Sequence, residues 1–377
     1  YEMTSSLVGS EMCIRDSLSQ GRFHMLDLAR ELDHTGFDIK FYSFIPTSRC
    51  IKFGLQKKCI VSLFGIIAPF LILRRIFPKL SWIHIKVQDF IMGIFMRKCD
   101  ICISLTGYVY APRIAQKKGA IIIMERGSKH ILEQKKILEK NPHKKNEAIP
   151  NRNIKCNLKA YQFANFISVA SQHVKESFLL HQYPENRIFV NPYGVDLSMF
   201  KPLPNIPKKY DVIMVGGWGY EKGCDLIVEA IRKTNYSFIH VGSIKDVDFP
   251  QEKNFTHIDP VDQSKLIEYY NQAKVFILPS RQDGFGMVLS QALACNLPII
   301  GSNNCGAPDL KKMVELPEYI TIIKDYTADA IVTAIHTAIK NYEQLGERIY
   351  AGNAIENLTW EAYGKRYANF LHKIIKQ

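Results

Sequence analysis

No apolar run in this 377-residue chain is long enough to cross a bilayer. The nearest, CIVSLFGIIAPFLIL at residues 59–73, has fifteen residues, contains Pro69 and ends against Arg74 and Arg75. A spanning helix needs about 20 residues. The run is either a core element or a segment that lies on a membrane surface beside its basic neighbours. A disulfide framework is also missing: nine cysteines are scattered along the chain, which suits a reducing compartment. The one Cys-x-x-Cys, Cys99 to Cys102, has no second pair and opens an apolar stretch, so it reads as the start of a strand rather than a zinc site. There is no G-x-x-x-x-G-K-[ST] loop. The dinucleotide fingerprint fails as well, because Lys222 stands where its third glycine is required. No internal repeat and no low-complexity tract occurs.

Acidic residues are scarce in one half only. Residues 211–377 hold 17 Lys and Arg against 20 acids, whereas residues 1–210 hold 32 against 16, so the first half carries all of the +13 net charge. Residues 49–98 contain ten basic residues and the single acid Asp89, and residues 126–159 contain ten against three. Such a half is either a solvated lysine-rich surface or the face for an anionic partner, such as phospholipid head groups or a phosphorylated substrate. Nucleic acid is not expected, because the basic runs lack interleaved aromatics and no reader motif is present. The 47% hydrophobic and 23% charged content is that of a globular chain, and its length suits two domains.

Residues 5–17, SSLVGSEMCIRDS, resemble the translation of a sequencing adapter. Residues 1–17 are therefore expected to be a non-native leader and the true opening strand to be lost; the alternative takes SLVG as a poor native strand. From residue 18 the pattern is regular. Phe23, Leu26, Leu28 and Leu32 fit an amphipathic helix ended by Gly36, and DIKFYSF reads as a strand. Strands are expected at 101–105, 120–124, 166–170 and 187–191, with helices at 128–140 and 172–181. Four prolines mark residues 192–210 as a linker. Strand and helix then alternate from YDVIMVGG at 210 to a helical period at 329–342. This alternation predicts an α/β protein of two Rossmann-like, doubly wound parallel-sheet domains facing a cleft. The expected division is 18–191, the linker 192–210, 211–358, and a closing helix at 359–377 that is long enough to return to the first domain.

Two stretches of the second half suit an anion. In VGGWGYEKG, residues 215–223, a strand ends in Gly216 and Gly217, and Lys222 precedes a helix. Glycines let the backbone approach a phosphate, and a helix start and a lysine favour negative charge. Alone this is a glycine-rich turn with a surface lysine. In PSRQDGFGMVLSQALACNLPIIGS, residues 279–302, Asp283 precedes Gly284, Phe285 and Gly286, and Gln291 lies about two turns into the next helix. The backbone N–H groups of Phe285, Gly286, Met287 and Val288 would point out of that helix start. Asp283 could accept from sugar hydroxyls and Gln291 could bond a ribose. An Asp N-cap with a half-buried Gln is the plainer alternative.

These stretches resemble the E-x7-E segment and phosphate-binding turn of the retaining family-4 glycosyltransferases (glycosyl transferases group 1), which have the GT-B fold. NPYGVDLSMFKP resembles their interdomain segment and LTWEAYGKRY their closing helix. The likeness covers residues 18–377, close in the second half and looser in the first. It implies transfer of a sugar, with retained anomeric configuration, from a nucleotide-diphospho-sugar donor to a glycan or lipid-linked acceptor, in cell-envelope polysaccharide or lipopolysaccharide synthesis. The basic, apolar first half adds the place of action, the cytoplasm, peripheral on the inner face of the cell membrane. No metal and no cofactor beyond the donor are implied. Lys222 would hold the diphosphate, Asp283 stands for the first Glu and would contact the donor sugar, and Gln291 stands for the second and would bind ribose. The Arg that the family often adds is missing, and Arg281 is the expected substitute. His130 or Glu125 would face the acceptor or donor sugar, and Gly21, in the first strand-to-helix loop, would approach the donor phosphates. The departures at Asp283, Gln291 and the missing Arg leave a second reading, a non-catalytic or degenerate relative that binds nucleotide or glycan. A sugar-nucleotide epimerase of the same fold is disfavoured by the E-x7-E-like segment.

Overall fold

The structure is a computed structural model, and it describes residues 11–15, 24–77, 83–143, 149–346 and 348–376. In the first part of the chain the elements are β1 (Glu11–Arg15), α1 (His24–His34), β2 (Asp38–Ser43), α2 (Thr47–Lys52), β3 (Ile60–Ser62), α3 (Phe64–Ile76), α4 (His84–Phe95), β4 (Ile101–Leu105), α5 (Tyr110–Lys117), β5 (Ile121–Arg126), α6 (Ile131–Leu138), α7 (Asn151–Phe163), β6 (Phe166–Val169), α8 (Gln172–Leu179) and β7 (Ile188–Val190). The second part runs β8 (Tyr210–Val215), α9 (Cys224–Arg232), β9 (Phe238–Val241), β10 (Phe255–Ile258), α10 (Gln263–Gln272), β11 (Ala273–Leu278), α11 (Met287–Ala294), β12 (Ile299–Ser302), α12 (Ala307–Lys311), β13 (Ile320–Ile323), α13 (Ala328–Leu345) and α14 (Trp360–Ile375).

The strands form two sheets, ordered β3-β2-β1-β4-β5-β6-β7 and β10-β9-β8-β11-β12-β13, and every pairing in both is parallel. Parallel strands need helical crossovers, so both faces are covered. The central strands accordingly read as apolar runs: Val212, Ile213 and Met214 of β8 and Val275, Phe276 and Ile277 of β11 are fully buried. In each sheet the order reverses beside the first strand, between β1 and β4 and between β8 and β11. Loops leaving the carboxyl ends of such neighbours diverge and open a crevice, where ligands of these folds bind.

Glu11–Arg15 forms a strand in the opening slot, pairing with β2 and β4, inside the stretch read as an adapter-like leader. A mid-sheet parallel strand is usually a continuous apolar run, and EMCIR, with a charge at each end, is not one. The 59–73 run divides: Cys59 and Leu63 are buried and Ile60–Ser62 is the edge strand β3. Most of it is α3, which contributes only Ile67 to the interior.

Helix α14 crosses back onto the first domain. Thr359 caps it by accepting from the Ala362 N–H at 3.1 Å. Its Gly364 packs on α1 so closely that a Cβ there would overlap the Cβ of Glu31.

Candidate active site

The crevice of the second domain lies between the loop after β8 and the loop after β11. The first of these turns sharply. Gly216 takes φ +127° and Gly223 takes φ +75°, both left-handed and suited to glycine. A Cβ on Gly223 would also overlap the carbonyl of Pro279, so the two loops lie backbone on backbone. Between the glycines, Tyr220–Lys222 forms a short 3-10 turn. Gly217 packs against the Lys245 side chain. His240 Nε2 lies 2.8 Å from the Gly216 carbonyl, and burial lowers the pKa of His240 to about 4.

The structure brings Lys222 and Asp283 together. The Lys222 ammonium is 2.5 Å from Oδ2 of Asp283, and the two side chains are 20% and 17% exposed. Burial works against the charged lysine, but Asp283 and Glu221 outweigh it and hold its pKa above the ordinary value. Beside the pair, α11 begins at Gly286, with φ +80° and no side-chain cap. A helix start of that kind presents Met287 and Val288 N–H groups to an anion. Phe285, immediately before it, is buried against Tyr193, and is a packing residue. Gln291 is buried further along α11, and its Oε1 accepts a 2.9 Å hydrogen bond from the Tyr270 hydroxyl.

Other expected site residues are placed elsewhere. Arg281 grips both oxygens of Asp225 at 2.6 and 2.7 Å, donates to the Tyr220 carbonyl and stacks on the Tyr220 ring. These contacts brace the Lys222 turn. His130 caps α6 and is buried against His181, Tyr161 and Phe178. Burial, then His181, lowers its pKa to about 3, so it is a neutral core histidine. Glu125 is buried at the end of β5, bonded to His24 at 3.1 Å and to the Tyr367 hydroxyl at 2.7 Å, in a network under α14 rather than in the crevice. Gly21 lies outside the described residues.

The facing wall is the loop after β5 and the start of α8, and the domains touch here. Gln282 donates to the Ser128 hydroxyl. Ser171 donates to the Gly284 carbonyl at 2.5 Å, and Lys129 to Asn304 Oδ1 at 2.6 Å. A Cβ on Gly284 would overlap the Gly127 carbonyl. Next to this contact is a residue that sequence reading missed, His173. It is 9% exposed and lies against the Asp283 and Gly284 backbone. Burial and Lys129 lower its pKa to about 4, with Asp283 acting the other way. Its signal was positional: it begins the helix after β6, at the carboxyl end of a strand.

An Asp-x-Asp pair, Asp246 and Asp248, is present in the loop after β9. Asp246 is engaged by the Tyr220 N–H at 3.0 Å and by Asn141 at 2.5 Å. Among the described residues no group of three or more His, Cys, Asp and Glu is arranged to hold a metal ion.

Residues 198–354, which contain both crevice loops, match the family described as glycosyl transferases group 1. A probable sucrose-phosphate synthase of Thermosipho melanesiensis is 26% identical over 242 residues, 57% of this chain and 56% of the relative. A GDP-mannose-dependent mannosyltransferase acting on phosphatidylinositol monomannoside in Mycolicibacterium smegmatis is 23% identical over 55% of this chain and 62% of its own. The chain thus spans little more than half the length of these curated relatives. Among solved structures, sucrose-phosphate synthase of Thermosynechococcus elongatus superposes with TM-score 0.64 at 14% identity, covering 97% of this chain and 99% of that one. Anabaena HepE in complex with UDP-glucose superposes with TM-score 0.66 at 13% identity, covering 97% and 100%. At such identities the structures establish the architecture alone, two Rossmann-like domains in the GT-B arrangement. By its matched residues the second domain is similar to the glycosyl transferases group 1, and the chain as a whole has the GT-B architecture.

Proposed function

We propose that the chain is a retaining hexosyltransferase that moves a sugar from a nucleotide-diphospho-sugar to a glycan or lipid-linked acceptor, in cell-envelope polysaccharide or lipopolysaccharide synthesis at the cytoplasmic face of the membrane. The observation that carries this reading is the Lys222–Asp283 pair beside the uncapped start of α11. In the structure Asp283 supplies the negative charge that Lys222 faces. An arriving diphosphate takes that place, and Asp283 is released to accept hydrogen bonds from the donor sugar. The bond from the anomeric carbon to the diphosphate oxygen breaks, and the acceptor hydroxyl adds on the same face. Its proton passes to the departing phosphate. Lys222 and the helix N–H groups meet the growing charge on the leaving group, which is where preorganised donors lower a barrier most. No metal is assigned a role. HepE, of similar fold, holds UDP-glucose, and the mycobacterial relative is named as using GDP-mannose on a phospholipid acceptor, so the base is left to experiment.

A degenerate relative is the second reading, favoured by the engagement of Gln291 Oε1 with Tyr270 and of Arg281 with Asp225. Thermal shift against UDP-, GDP- and ADP-sugars, followed by transfer assays with and without EDTA, separates the two. A bound donor adds about 2.7 kcal/mol at a hundredfold excess over Kd. A shift with one nucleotide that is lost in Lys222→Ala, with transfer that survives EDTA, supports the transferase. A shift without donor hydrolysis or transfer supports the degenerate relative, and no shift in a folded chain removes the donor site altogether.

A further inference from the structure

Among the described residues fourteen large hydrophobic side chains are exposed, and nine of them lie between Ile66 and Phe95 on α3, its C-terminal neighbour Phe77, and α4. Ile72 and Ile76 are each 64% exposed, and Ile94 is 59% exposed. Scattered exposed apolar residues need no explanation, but a concentration of this kind marks an interaction surface. The two helices meet through Phe70 and His84, whose rings stack at 6.1 Å. Phe90 extends the apolar surface to Tyr110, 5.5 Å away, on α5.

The surroundings are basic. Arg75, Lys86, Arg97 and Lys98 are exposed on or beside the two helices, and Arg74 is half-buried. The single acid of this stretch, Asp89, points inward and accepts from the backbone N–H groups of Val109, Tyr110 and Ala111 at 2.7–2.9 Å. It caps α5. Ile85, Lys86 and Asp89 also line a cavity of about 280 Å³ with Arg152 and Asn157, so polar space adjoins the apolar surface. No described helix is long and apolar enough to cross a membrane. At 1.5 Å per residue, thirteen-residue α3 is about 20 Å long, against a hydrocarbon core of about 30 Å.

We propose that α3 and α4 form a face that docks in the plane of an anionic phospholipid bilayer, burying their apolar side chains at the head-group boundary, with the basic rim meeting lipid phosphate. Apolar burial and attraction to anionic lipid add in such helices. This deepens the transferase reading by naming the surface on which a lipid-linked acceptor is met. It is tested without donor.

The test is co-flotation of the full chain with phosphatidylcholine vesicles, with and without phosphatidylglycerol. Wild type is expected to float with the anionic vesicles only, and less as salt rises. Ile72→Glu/Ile76→Glu and Phe90→Glu/Ile94→Glu are expected to lose flotation at least tenfold with unchanged melting temperature, and Arg74→Glu/Arg75→Glu to weaken it. Ile349→Glu, an exposed site on the second domain, keeps it. No flotation of wild type, equal flotation on vesicles without anionic lipid, or unaffected double variants overturn the proposal. So does a concentration-dependent dimer that Ile72→Glu/Ile76→Glu dissolves, because the face then joins two copies of this chain. The donor thermal shift, measured on the same variants, reports on the transferase reading separately.

Discussion

The Tyr367 hydroxyl donates a 2.7 Å hydrogen bond to Glu125, although the two residues are 242 positions apart. Glu125 is the penultimate residue of a strand of the first domain, and Tyr367 sits on the helix that follows the second. The other carboxylate oxygen meets His24 at 3.1 Å. A charged group at the core of the first domain is thus satisfied partly by the far end of the sequence.

This network sets an acid limit on stability. Burial pushes the Glu125 carboxyl up, but hydrogen bonds from His24, Ser168 and Tyr367, with the His24 charge, outweigh it and hold the pKa below the ordinary value. Stability from such a group is complete above the unfolded pKa of about 4.3 and is lost as pH falls through the folded value. Glu125→Gln is expected to flatten the acid limb of urea melts below about pH 4.3, and Tyr367→Phe to cost about 1.5–3 kcal/mol at neutral pH. Donor affinity of the folded fraction stays unchanged in both.

His173 gives a second, separate pH effect. Its folded pKa of about 4 lies below the ordinary histidine value, so the unfolded chain takes up the proton first. Stability is full above about pH 6.5 and declines as pH falls toward 4. His173→Phe is expected to remove that slope, seen as a flatter melting temperature between these values, while the Glu125 limb at lower pH persists.

Lys222→Ala is expected to abolish the donor thermal shift and lower transfer by about 10²–10³-fold, the range for removing one preorganised charge donor. Lys222→Arg restores part of the binding but not the turnover, because the fork of Arg does not reproduce a point charge.

Gly284→Ala tests the contact between the domains. The added methyl would overlap the Gly127 carbonyl, and backbone on both sides cannot yield as a flexible side chain does. The variant is expected to keep the wild-type circular dichroism spectrum, show a larger radius of gyration by small-angle scattering, and turn over slowly.

Most elements were legible because apolar periodicity is a local signal. The strands at 101–105, 120–124 and 166–170 and the helices at 172–181 and 329–342 appear within a residue or three of their expected bounds. Lys222 and Asp283 stood out because glycines marked turns whose backbone must bend sharply or lie close to a neighbour. The direction in which a side chain points was not legible. Arg281, His130 and Glu125 all lie near strand ends, where ligands bind, yet each turns toward a partner contributed from elsewhere: Asp225, His181 and Tyr367. His173 was missed for the converse reason, since nothing in a QHVKESF helix start shows that its ring faces Asp283 across a domain boundary. The 59–73 run kept two readings because periodicity cannot tell water, protein and lipid apart; exposure shows only that α3 is not a core helix.

The return of α14 has a consequence for biosynthesis. The first domain emerges from the ribosome first, and domains generally begin to fold as they emerge. Its α1 surface at Glu31 and its carboxylate at Glu125 stay uncovered until residues 360–375 are made. The nascent first domain therefore waits, incompletely closed, through the synthesis of the whole second domain. A ribosome stalled before Trp360 would display a half-finished domain that quality-control machinery could recognise, which ties the chain's survival in the cell to its last long helix.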